Sequence, residues 1–337
     1  MDLSTAYMGL SLRSPLVPSA SPLTKDLDVI HRLAEAGAGA IVLGSLFEEQ
    51  IEHEAGELDH YLHYGADRFA ESLSYFPEMG EFRLGAEDYL DLVAAARAVV
   101  DVPIIASLNG ISTKGWVSYA RKIADAGAHG LELNVYYLPT NPDLSAEEVE
   151  AVYTDILAAV KKAVDGRIPV AMKLSPYFTN LTAVAGRFVE AGAEALVLFN
   201  RFYQPDIDPH KLEVVARASL SRPEDNLLPL RWIAILHGRV EASLAATSGI
   251  HSGADAAKMI LAGADVTMLC SVLLAKGPAH LATVRDELVA IMEARGYESV
   301  EEMKGVMSQR SCPEPAAYER GHYVQALTRY GMTSTYE

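Results

Sequence analysis

AGAGAIVL at Ala36–Leu43, AGAHGLEL at Ala126–Leu133, AGAEALVL at Ala191–Leu198 and AGADVTML at Ala262–Leu269 are four versions of one phrase. Each follows an amphipathic helical stretch and leads into a short apolar run. Gly37, Gly127, Gly192 and Gly263 stand where the end of a helix needs a residue with positive φ. The flanking alanines let the chain turn tightly into a buried strand. The phrase reads as a single helix-to-strand joint used four times.

Working outward from these joints gives eight apolar runs of strand length: 16–19, 40–45, 103–108, 130–136, 169–175, 195–200, 241–248 and 265–271. They are continuous rather than alternating, as in strands covered on both faces. Helical patterns lie between most of them, at 25–36, 87–99, 113–126, 145–164, 181–191, 253–261 and 279–295. Parallel strands with intervening helices predict an α/β fold, a single (β/α)8 TIM barrel. A doubly wound sheet is the alternative, but the first strand-to-helix turn, Ser19-Ala20-Ser21-Pro22, lacks the GxGxxG pattern of that fold. Two long excursions, 46–86 after strand two and 201–228 after strand six, leave from C-terminal strand ends, where barrels build their sites. Such loops are lids, binding loops or a dimer surface. The barrel is expected over 1–305, with 306–337 as a C-terminal extension packed on it.

The chain has 337 residues, half of them hydrophobic, and a formal net charge of −17. So acidic a surface repels nucleic-acid backbones and argues for solubility. No apolar run reaches the roughly 18 residues of a membrane span, and the N-terminus lacks a signal-peptide layout. Two cysteines, Cys270 and Cys312, are too few for a disulfide framework, so a reduced, cytoplasmic setting is expected.

Strand seven ends in Ala246-Thr247-Ser248-Gly249-Ile250-His251-Ser252-Gly253, and strand eight in Met268-Leu269-Cys270-Ser271. Small residues at both turns expose backbone N–H groups, and the helices starting there add their positive ends. That combination suits a phosphate monoester. Gly249 permits close backbone approach, and Ser252 is placed to cap the next helix. Lys173 stands at the end of an apolar strand, where a buried ammonium needs an anionic partner. Asn109, Asn134 and Asn200 also fall at C-terminal strand ends, each offering donor and acceptor groups.

The segment around GIHSGADAAKMILAGADVTMLCSVLLAKGP (Gly249–Pro278) resembles the FMN-phosphate region of class 1 dihydroorotate dehydrogenases. Other pieces match that family in order: Ser14–Ser21, LGAEDYLDLV from Leu84, Glu132-Leu133-Asn134, Lys173-Leu174-Ser175-Pro176-Tyr177-Phe178 and Asp206-Ile207-Asp208-Pro209. The resemblance covers roughly residues 1–305. It implies FMN as cofactor, an oxidoreductase acting on a CH–CH bond of a small molecule, a link to pyrimidine biosynthesis, a homodimer and a redox partner protein. It places the flavin against Ala20, Ser21, Asn109, Asn134, Lys173 and Asn200, with Ser248, Gly249, Cys270 and Ser271 at the phosphate. Lys173 would face the electron-rich edge of the ring. The alternative for Lys173 is an ion pair with a loop carboxylate. For each asparagine it is loop capping, and Cys270 also reads as a small packing residue on strand eight.

The chemistry residues depart from the family. Oxidising dihydroorotate requires a base to take one proton while hydride goes to the flavin. Here ELN is followed by Val135-Tyr136-Tyr137-Leu138-Pro139-Thr140-Asn141, so Tyr137 stands at the position of the family's cysteine or serine base. A tyrosine, with an ordinary pKa near 10, is a poor base but a reasonable proton donor. Tyr137 or Tyr136 would then protonate an alkene carbon, or both simply wall the pocket. The family's strand-two lysine falls at Leu43 by counting, its asparagine-bearing loop becomes Ser74–Gly80, and no glycine lies between Arg201 and His237. A pocket without matching donors rejects orotate, because unpaired buried polar groups are costly. Two further readings stay open: an inactive FMN-binding or electron-transfer protein, and a flavin-free barrel binding a phosphorylated metabolite. His53, His60 and His63 have no recognised metal-ligand spacing and read as a solvated loop.

Overall fold

A computed structural model of the chain describes residues 1–54, 85–112, 115–201, 204–215, 219–321 and 323. The four joints close identically. Gly37 N–H donates to Ala34 O and Ala38 N–H to Leu33 O, and the same two bonds recur at Gly127 and Ala128, Gly192 and Ala193, and Gly263 and Ala264. This two-bond helix ending requires a positive φ at its glycine, and the four values are 102°, 90°, 105° and 120°.

The fourth position of the phrase has its own task. His129 Nδ1 accepts the Ile104 N–H at 3.1 Å, Glu194 Oε2 the Val170 N–H at 2.8 Å, and Asp265 Oδ2 the Leu244 N–H at 2.8 Å. Each amide lies at or next to the start of the neighbouring strand, so the joint that ends one helix also ties down the adjacent strand. The first phrase has Gly39 there instead. A Cβ on Gly39 would lie 1.8 Å from Ser14 O. Its N–H donates to Leu16 O at 2.8 Å and brings the second strand against the first.

The strands run parallel in the order Leu16–Pro18, Val266–Leu269, Ser243–Thr247, Ala195–Leu198, Val170–Leu174, Gly130–Asn134, Ile104–Asn109 and Ile41–Val42. With the Gly39 bond the ring is nearly closed, so the chain folds as a TIM barrel, each strand within the run expected of it except that the third reaches one residue further, to Asn109. Leu46–Phe47 resumes pairing with Leu108–Asn109 beyond a break in strand two. Alternate residues face inward. Val17, Val42, Ile105, Val197 and Met268 share the interior with Tyr7, Met8 and Leu12 of an N-terminal hairpin (Thr5–Tyr7 with Leu10–Leu12) that plugs the N-terminal end. Gly130 leaves room for the plug, since a Cβ there would lie 2.7 Å from Met8 Cε.

Among the elements not foreseen are the plugging hairpin, a second hairpin in the loop after strand six (Asp206–Asp208 with Glu213–Val215), and the helix Leu227–Leu236. The helix lacks a clear polar stripe because one side packs on strand seven and the helix Gly253–Ala262, while the extension covers another. Met307 and Gln309 N–H groups donate to Leu261 and Ala234 carbonyls, so the start of the extension lies against both helices. Of the 46–86 excursion, 55–84 lie outside the described residues, and with them Ser74–Gly80, His60 and His63; so does the end of the extension.

Candidate active site at the barrel mouth

Three neighbouring strands bring the predicted polar residues together at their C-terminal ends. Asn109 stands in register with Asn134, and Asn134 with Lys173. Asn200, just past strand six, is held by its N–H to Leu174 O at 2.7 Å, and its side-chain amide donates to Asn134 Oδ1. Lys173, Asn134 and Asn200 are all buried. The anionic partner of Lys173 is not a loop carboxylate but Glu132, which faces inward on the adjacent strand, with Nζ 3.2 Å from Oε1. Sequence reading quoted Glu132 within a motif and gave it no task. Its signal was a carboxylate in an otherwise apolar buried strand. Beside it, Ser107 Oγ and Ser45 Oγ lie 2.9 Å apart.

The turns after strands seven and eight are tied to each other by the segment 221–226. Ser221 N–H donates to Ser271 Oγ at 2.9 Å, and Ser221 Oγ lies 3.3 Å from His251 Nε2. Asn226 Nδ2 donates to Gly249 O at 3.3 Å and to Asp255 Oδ1 at 2.9 Å. Ser252 caps the helix Gly253–Ala262 as expected, accepting the Asp255 N–H. Asp255 in return takes the amides of His251 and Ser252, which are thereby used. The amides of Gly249 and Ile250 have no protein partner among the described residues. Those opening the helix Ser271–Lys276 have no acceptor within it. The bare face of Gly249 is turned to its own chain: a Cβ there would meet Asn226 N at 2.4 Å and Arg222 O at 2.8 Å. Its close approach thus serves the 221–226 segment.

Cys270 is not a buried residue of strand eight. It follows the strand, precedes the helix and is partly exposed. Burial raises its thiol, while Lys173 and Arg201 pull it back, which places it near both cations. Ala20 rests on the inner cluster of the barrel, and Ser21 is buried beside it. In strand two Leu43 belongs to the outer layer, while Ala40 and Val42 face inward. By alternation the inward position at the mouth is Gly44. A Cβ on Gly44 would lie 2.8 Å from Lys25 Cε and 2.9 Å from Ser21 O, so the stem of Lys25 crosses that position. Burial lowers the Lys25 ammonium from its usual range. Nothing in the sequence reading singled out this lysine.

The two tyrosines separate. Tyr136 lies two residues past the end of the strand and is partly buried. Tyr137 packs on the outer layer, with its carbonyl 3.5 Å from Tyr153 Oη. Burial, and then the neighbouring Tyr137, push Tyr153 up to about 12.

The donor set fits a flavin. A buried ammonium and carboxamides on adjacent strands match the carbonyl and nitrogen edge of its ring, and two sets of turn amides match a phosphate. Two broad surface recesses, of about 600 and 660 Å³, lie at the opposite end, lined by residues such as Arg13 and Arg285, or Met8 and Asp265.

A family model described as dihydroorotate dehydrogenase matches residues 2–292. The catalytic subunit of dihydroorotate dehydrogenase B (NAD(+)) from Methanothermobacter thermautotrophicus is 25% identical over 323 residues, covering 90% of this chain and 98% of the relative. The protein of the same description from Thermoplasma volcanium is 25% identical over 321 residues, covering 92% and 99%.

Proposed function

The chain belongs to the dihydroorotate dehydrogenase family, and from that premise we propose that it is an FMN-dependent oxidoreductase acting on a CH–CH bond of a small molecule. The observation that carries this reading is the buried Lys173 ammonium flanked by Asn134 and Asn200 at the barrel mouth. FMN, when bound, supplies the two-electron acceptor. Lys173 stabilises negative charge at the ring edge, and Asn109, Asn134 and Asn200 orient ring and substrate through their amides. Ala20 and Ser21 cover one edge of the mouth. The amides of Gly249 and Ile250, with those after Cys270 and at Ser271, hold the phosphate, and Ser248 shapes that turn. Tyr136 is the better placed of the two tyrosines to hand a proton to a substrate carbon, while Tyr137 walls the pocket from the outer layer.

The substrate is expected to differ from dihydroorotate, because no cysteine or serine stands at Val135–Tyr137 to take its proton. Relatives described as catalytic subunits support a redox partner chain; the two cysteines remain the ground for a cytoplasmic setting, and the commonness of symmetric dimers the ground for a homodimer. Anaerobic addition of dihydroorotate to the FMN-loaded protein tests the substrate reading. The flavin absorbance should persist. Bleaching would establish dihydroorotate as a substrate after all. Persistence through a screen of small alkenes and their reduced forms would favour a catalytically silent flavoprotein.

A further inference from the structure

Among the described residues, two buried side-chain polar atoms have no hydrogen-bond partner, Glu132 Oε2 and the hydroxyl of Tyr7. Both belong to the barrel interior. Glu132 is 1% exposed and gives only Oε1 to Lys173. Tyr7, also 1% exposed, rises from the plugging hairpin into the inner cluster. Burial and then the charge of Glu132 push its phenol well above the usual range, so it keeps its proton and remains a donor. The interior is built small around the three residues, with Gly130, Ala171, Ala195 and Ala245 at inward positions of four strands.

An ion pair in such a place contributes little to stability compared with apolar residues of the same volume. Its effect on a bound group is larger, because in a water-poor interior neither charge is screened. A lone ammonium at the ring edge would favour the reduced, anionic flavin strongly. With Glu132 one bond behind it, most of that field is offset, and the ammonium is held in one place.

We propose that Glu132 sets the charge that Lys173 presents to the flavin, acting as a positioning residue through its bond to the Lys173 ammonium. This rests on the FMN reading above. Asp265 also acts on Tyr7, and Lys173 and Arg201 both act on Cys270, while Lys173 bonds Glu132 directly.

The test is the affinity of the full chain for oxidised and for reduced FMN, measured in the wild type, E132Q, E132M and E132D. Removing the negative charge in E132Q should raise the ratio of reduced to oxidised affinity on the order of tenfold. E132D keeps the charge and should leave the ratio nearly unchanged. A merely structural Glu132 would weaken both affinities equally, and an unchanged ratio in E132Q overturns the proposal. Should E132Q not fold, E132M, which removes the same charge, decides: a raised ratio supports the proposal and an unchanged one overturns it. A wild type that binds FMN in neither state overturns both this inference and the function it rests on, whereas normal binding with an unmoved ratio overturns this inference alone.

Discussion

Lys173 and Glu132 form one unit, and the cost of breaking it differs from the cost of removing it. K173M keeps the apolar stem and leaves Glu132 as an uncompensated buried charge, which should lower stability by about 3–5 kcal/mol. K173M/E132Q removes both charges and should regain most of that loss. Urea unfolding of the four proteins checks the cycle, and additive effects would contradict a coupled pair. At this scale the sequence was informative where chemistry clashed with surroundings. Lys173 stood out because a charged residue in an apolar strand demands an explanation. Lys25 did not, because its part depends on Gly44 leaving a gap, and a gap made by one loop's lysine over another strand's glycine has no signature in one dimension. Leu43 was the counted position for the lost lysine, and strand alternation moves that position by one residue.

The repeated joint makes its own predictions. His129 accepts the Ile104 amide only with Nδ1 unprotonated. Burial first, and the Arg97 charge second, lower its imidazole below the ordinary 6.5. A lowered value means that the unfolded chain binds the proton more readily, so this contribution is complete above that ordinary value and is lost as pH falls through the folded one. Unfolding free energy followed from pH 7 downward should therefore fall more steeply in the wild type than in H129Q; parallel curves would contradict the role. The carboxylate versions at Glu194 and Asp265 should show the corresponding static cost, about 1–3 kcal/mol for Glu194→Ala from the stranded Val170 amide, read by thermal unfolding. The joints themselves were legible because glycine and alanine recur at fixed positions. The helix Leu227–Leu236 was not, because its pattern is that of a helix packed on several sides, with Pro229 in its first turn, and periodicity offers no face to read.

Closure of the whole ring depends on Gly39. With a Cβ 1.8 Å from Ser14 O, G39A must push the first and second strands apart and lose the Gly39–Leu16 bond. G39A is expected to lose more stability than alanine at Gly186, a helical position where a Cβ meets nothing within 4 Å; equal unfolding midpoints would show that the ring closes by other contacts. The barrel could be read from the sequence because eight buried strands and their joints are local features. The mouth could be read only in part, since the contacts of 221–226 with both phosphate turns join residues far apart in the chain. The central claim, a flavin held at that mouth, is tested most directly by the absorbance spectrum of the purified protein after incubation with FMN and removal of free cofactor. A retained flavin band, absent from K173M or bound there far more weakly, is the predicted result. A colourless wild-type protein after the same treatment would contradict the account.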